Sequence, residues 1–223
     1  MRYRRLGRTD LMVSELGLEV RATLGAGSLA EREDDAAAAL RAAIDGGVTL
    51  FAWDVSDAAE DVEPLVIRAA GVDRGRLTLL AVLDFLPPPE AIGPQVEAIA
   101  SRLAEGEGGG GNGNAPGYLD VIAFPGVPDA AQLEALEAVR RRGTARFVAV
   151  ATDGDAGLPA DLPAGVDVLV LGGAPSSVHA TAGVVARARL MDAPALLEDR
   201  AISCVVTSAA DAGEVAGLLV HSY

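Results

Sequence analysis

The chain contains no lysine, and all 18 of its basic residues are arginine. A catalytic lysine is therefore excluded in any register. Cysteine occurs once, as Cys204 in an apolar run. That rules out a disulfide framework and reads as an inert, buried thiol of a reduced protein. Only two histidines are present, His179 and His221, with no second His or Cys at ligand spacing, so a zinc site has no support and a surface or capping role is expected. The three tyrosines are Tyr3 in an amino-terminal hairpin, Tyr118 at the start of a strand, and the terminal Tyr223. No apolar run approaches the roughly 20 residues that cross a bilayer, and Met1-Arg2-Tyr3-Arg4-Arg5 has no apolar segment behind it. The expectation is a cytoplasmic protein without membrane contact. Cationic excess is lacking too: the net charge of −14 argues against nucleic acid, whose phosphates need basic groups, and favours a basic protein partner.

With 223 residues, half of them hydrophobic, the chain can bury one core, and a single domain over 1–223 is expected. Gly46-Gly47 ends a helix spanning about 36–44, and Val48 to Trp53 is a β-branched and aromatic run of strand length. Further strands are read at 13–18, 77–83, 119–124, 147–151, 166–171 and 202–207. Helices are read at about 61–70, from Gly93-Pro94 through Leu103, at 131–142, at 178–190 and at 213–220. The Gly-rich stretch 106–117 joins a helix to a strand, which makes it a flexible linker rather than a phosphate cradle. Seven strands alternating with helices predict a parallel sheet, closed as a barrel or open and doubly wound; the lack of Gly-x-Gly-x-x-Gly after the first strand disfavours the dinucleotide-binding open form.

Several segments, taken in order, resemble the aldo-keto reductase family. Arg4-Arg5-Leu6-Gly7-Arg8-Thr9 with Val13-Ser14-Glu15-Leu16-Gly17-Leu18 is similar to its hairpin and first barrel strand. Gly47-Val48-Thr49-Leu50-Phe51 is similar to its second strand and Tyr118-Leu119-Asp120-Val121 to its fourth, while Ile202 to Leu219 resembles its last strand and helix. The resemblance implies an α/β fold: a TIM-type (β/α) barrel with an amino-terminal hairpin, shortened or incomplete at about seven parallel strands. It also implies where the family's Asp, Tyr, Lys and His would fall, namely on Ala52, on Asp57 (or on Ser56 if one residue is deleted), on Ala81 and on Pro125. The Ser-Asn pair that holds nicotinamide falls on Ala151-Thr152, and a glutamine of the sixth strand on Val170. None of these positions carries the family residue. In the family the tyrosine protonates a carbonyl while the lysine and aspartate lower its pKa, so the proton donor and its activators are both absent.

The expected function is thus a catalytically inactive aldo-keto-reductase-like subunit that binds, scaffolds or regulates a partner, using no cofactor and no catalytic residue. An NADPH-dependent oxidoreductase with a degenerate site is the alternative. A cation-dependent enzyme is the third, because Glu19, Asp54, Asp57, Asp84, Asp153, Asp155 and Asp211 all fall at strand ends that would share one barrel mouth. Trp53, Asp54, Asp84 and Asp153 are the expected residues of that mouth, with Trp53 weighed as a stacking platform against ordinary packing. A strand missing between Leu171 and Ile202 would leave an edge, so association is expected through Pro175 to Leu197.

Overall fold

At the amino terminus Gly7, at a φ of 57°, turns the chain between strands β1 (Tyr3–Arg5) and β2 (Met12–Ser14), which pair antiparallel with Tyr3 opposite Ser14. The turn is fastened by the Thr9 hydroxyl, which donates to the Leu6 carbonyl at 2.7 Å and accepts from the Leu11 N–H at 3.2 Å. These coordinates form a computed structural model that describes residues 1–20, 29–55, 62–106, 117–153, 162–173, 182–207 and 217. Leu6, Leu11 and Val13 are buried in one cluster with Leu50, Leu80, Val121 and Val185, side chains that fill the inside of a barrel. The hairpin is thereby the floor of that barrel.

The barrel is closed by eight parallel strands: β3 (Leu16–Glu19), β4 (Leu50–Val55), β5 (Thr78–Leu83), β6 (Leu119–Pro125), β7 (Ala145–Thr152), β8 (Val168–Gly172), β9 (Gly183–Arg187) and β10 (Ile202–Thr207). Helices α1 (Leu29–Asp45), α2 (Val62–Ala70), α3 (Pro89–Gly106), α4 (Ala130–Arg142) and the short α5 (Ala193–Glu198) lie outside it. Each of the first four presents an apolar stripe; on α3 it is Ile92, Val96, Ile99 and Leu103, all buried. The Asp129 carboxylate accepts the Gln132 N–H while the Gln132 side chain accepts the Asp129 N–H, a reciprocal cap at the start of α4. Gly143, in the left-handed region, ends that helix. Among the described residues no helix is long and apolar enough to cross a membrane.

The expected barrel class stands, with three corrections. Residues 13–18 are not one strand. Buried Glu15 interrupts them, accepting from Arg2 Nε at 2.8 Å and Arg4 Nε at 2.7 Å, so β2 belongs to the hairpin and β3 to the barrel. Helix α3 begins at Pro89 rather than at Gly93-Pro94; Pro94 lies inside it on the exposed face. Most importantly, the helix read at 178–190 is a strand over Gly183–Arg187, pairing with β8 on one side and β10 on the other. The barrel therefore has eight strands, not about seven, and the expected open edge does not exist. Val184 packs outside and Val185 inside the barrel, so neither is left over for the association expected through Pro175 to Leu197, of which residues 175–181 lie outside the described residues. The expected Gly-rich linker, apart from its ends, and the last helix, apart from Gly217, lie outside the described residues.

One close approach joins floor and wall. A Cβ on Gly7 would lie 2.1 Å from the Gly183 nitrogen, and one on Gly183 would lie 2.7 Å from the Gly7 nitrogen. The turn of the hairpin thus sits directly on the backbone where β9 begins.

Candidate functional site

Side chains alternate along a strand, so the direction of one residue assigns all the others. On β4, Leu50 and Ala52 face the barrel interior while Phe51 and Trp53 face the helices, which leaves Asp54 at the interior mouth. The same alternation brings Asp84 after β5, Pro125 at the end of β6, Ala151 and Asp153 on and after β7, Gly172 on β8 and Arg187 on β9 to one end of the barrel. These residues line a cavity of about 430 Å³, with Val82 and Val170 below them. It opens at the carboxyl ends of the strands, the end where loops converge in barrels of this type.

Arg187 organises one side of the mouth. Its Nη2 donates to Glu19 Oε1 on β3 at 2.6 Å and to Asp54 Oδ2 on β4 at 2.9 Å, bridging over the end of β10. Burial alone would lower the guanidinium pKa, but the hydrogen bonds and charges of Asp54 and Glu19 outweigh it and hold the group above its ordinary value. The other side is different. Asp84 and Asp153 are exposed and make no hydrogen bond or ion pair among the described residues. Gly172 keeps the end of β7 close, since a Cβ there would stand 3.0 Å from the Asp153 carbonyl oxygen. Below the mouth, Cys204 is fully buried, and desolvation, aided by the Glu15 charge, pushes its thiol far above the usual range.

Of the four expected mouth residues the structure brings together Asp54, Asp84 and Asp153. Trp53 is elsewhere. It is fully buried between barrel and helices, with Nε1 donating to Glu63 Oε1 at 3.2 Å, and Arg102 completes that cluster at 3.1 Å. Packing, not ligand stacking, is its role, because its strand position has the outward parity. Of the four tetrad positions, Ala52 faces the interior one layer below the mouth, Pro125 borders the cavity, and Asp57 lies outside the described residues. Ala81 faces the helices, so the inward residue at that level of β5 is Val82 instead. Asp155, Asp211, His179 and His221 also lie outside the described residues. Among the described residues no three of His, Cys, Asp and Glu are grouped to hold a metal ion.

Arg187 was missed from the sequence because it fell within the misread helix. The available signal was the inward-outward alternation of Val184, Val185 and Ala186, which carries on to Arg187.

No protein-family model matches the chain, and no curated protein matches its sequence. Solved structures do match its fold. The holo form of the aldo-keto reductase AKR11C1 from Bacillus halodurans is 16% identical, with 99% of this chain and 90% of that one covered at a TM-score of 0.73. An aldo-keto reductase from Klebsiella pneumoniae, in complex with NADPH, is 19% identical, with 99% and 89% covered at a TM-score of 0.72. A thermostable aldo-keto reductase bound to the inhibitor epalrestat is 16% identical, with 100% and 94% covered at a TM-score of 0.71. The chain thus has an aldo-keto-reductase-like barrel, shortened and closed.

Proposed function

We propose that this chain is a divergent aldo-keto-reductase-like protein that does not reduce carbonyls and instead serves as a binding, scaffolding or regulatory subunit in the cytoplasm. The observation that carries this reading is the complete absence of lysine, which removes the group that tunes the proton donor in the family. The mouth supports it. The positions that correspond to the nicotinamide cradle are occupied at the cavity by apolar Ala151 and Val170, and the position of the family histidine is Pro125.

Electrostatics point the same way. Among the described residues, Glu19, Asp54, Asp84 and Asp153 against Arg187 leave the mouth about three charges negative, on a chain of net charge −14. A dinucleotide carries several negative phosphate charges, and such a field opposes its approach. A basic protein partner is favoured by the same field.

The test is a fluorescence titration with NADPH together with consumption assays on a panel of aldehydes. Neither saturable binding at micromolar concentration nor turnover is expected. Saturable binding with turnover that survives Asp57→Asn would replace this reading with that of an NADPH-dependent oxidoreductase. Retention of a partner from the native source, mapped to the mouth by loss on Asp84→Arg, would support the subunit role.

A further inference from the structure

We propose that the mouth cavity binds a small organic amine that carries a neutral oxygen acceptor at its other end, such as an amino alcohol or an amino amide. The proposal rests on reading the mouth as a binding site rather than a catalytic one, and it identifies the chemistry of the ligand. In the closed order of the barrel, β5 and β9 stand four strands apart in both directions, so Asp84 and Arg187 face each other across the mouth. Apolar Val82 and Val170 lie between them, with Pro125 on the rim. A cavity of about 430 Å³ with an apolar floor and a few convergent polar groups has the form of a small-molecule site.

The two ends make different demands. Arg187 commits only Nη2 to Glu19 and Asp54, and its Nε and Nη1 hydrogens have no acceptor among the described residues. Three N–H donors therefore remain for an oxygen atom. A carboxylate or phosphate would suit the donors but would stand beside two carboxylates already held on the same guanidinium, and like charges at that separation repel. A hydroxyl or carbonyl oxygen takes the donors without that repulsion. Asp84 at the opposite wall and Asp153 after β7, two strands from Asp84 and two from Arg187, are acceptors only, without a cation of their own among the described residues, and an ammonium group between them supplies charge-assisted hydrogen bonds. The methylene body of the ligand then covers the apolar floor.

Four probes of similar length separate these terms in calorimetric titrations of the full chain at low salt: 5-amino-1-pentanol, pentylamine, 1,5-pentanediol and 5-aminopentanoate. The amino alcohol is expected to saturate, binding more tightly than pentylamine by about tenfold or more, as one hydrogen bond from a charged donor allows. Diol and zwitterion should bind at least about tenfold more weakly than the amino alcohol, for want of the cation or through repulsion at Arg187. Asp84→Asn with Asp153→Asn, both at exposed positions, should abolish the advantage of the amine over the diol. Arg187→Met should abolish the advantage of the amino alcohol over pentylamine. Equal binding of diol and amine to the wild-type chain, no effect of the paired Asn variants, or no saturable binding of either amine by folded protein would overturn the proposal. Turnover with NADPH would instead overturn the reading on which it rests, so the two failures are distinct.

Discussion

Replacing Arg187 with methionine removes the cation but keeps the aliphatic bulk, so its main effect is to leave Glu19 and Asp54 facing each other. Both carboxylate oxygens lie on the same nitrogen, at 2.6 and 2.9 Å, so the two oxygens are separated by at most about 5.5 Å, the sum of the two contacts. Two unit charges at that distance repel by about 3 kcal/mol at the effective dielectric of a protein surface, and by about 0.8 kcal/mol in bulk water. The pairs are partly exposed, which places the wild-type attraction in the modest range of about 0.2–1 kcal/mol per pair. The variant should thus lose between about 1 and 5 kcal/mol, equivalent to a melting point lower by roughly 2–20 °C for a chain of this size. Urea unfolding followed through the fluorescence of Trp53, the only tryptophan, measures it. The deficit should shrink in high salt, where screening removes the repulsion, and Asp54→Asn added to Arg187→Met should recover most of it. Equal stability of variant and wild type at neutral pH and low salt, or no recovery in the double variant, would refute the electrostatic account of the mouth.

Asp167 offers a test with a definite sign: burial raises its pKa above the ordinary value, against the lowering effects of the Val148 N–H and Arg140. The folded state holds that proton more tightly, so the stability of wild type relative to Asp167→Asn should fall as pH rises from about 4 to the folded value and then level off; a rising difference would contradict it. Cys204, fully buried and with its thiol pushed far up, should resist a thiol reagent in the native protein and react when urea unfolds the chain, whereas rapid native labelling would place it outside the barrel core. Gly7→Ala should lose more than about 3 kcal/mol in the same urea assay, since its new Cβ would meet the Gly183 backbone at 2.1 Å in a conformation that already disfavours alanine. A near-neutral Gly7→Ala would show that the hairpin does not rest on β9 as described.

Much of this architecture is local in origin and legible for that reason. Gly7 with polar flanks marks the hairpin, the apolar stripe of 131–142 closed by Gly143 marks α4, and the β-branched runs of β4 to β7 and β10 mark strands. Strand β9 is of another kind. Over five residues, Gly-Val-Val-Ala-Arg fits a helix stripe almost as well as an alternating strand, and what decides is pairing with β8 and β10, which no local window contains. The candidate site suffers from the same limitation. Arg187 meets partners 168 and 133 positions away, so neither bridge can be read from spacing. For Trp53, position at a strand end was legible but parity was not, and parity sends its indole to Glu63 and Arg102 in the helix layer. The acids Asp54, Asp84 and Asp153 were legible because they fall at or just past strand ends, which a parallel barrel gathers at one mouth.

The hairpin floor has a consequence for traffic. Leu6, Leu11 and Val13 fill the amino-terminal end of the barrel, and close-packed side chains leave no passage through it. A molecule bound at the mouth therefore enters and departs by the same opening. A protein seated across that opening would retain what is already inside and shut out what is not, so exchange would depend on the order in which the two arrive. Under the proposed subunit role, the residence of the small molecule would then be set by the lifetime of the complex.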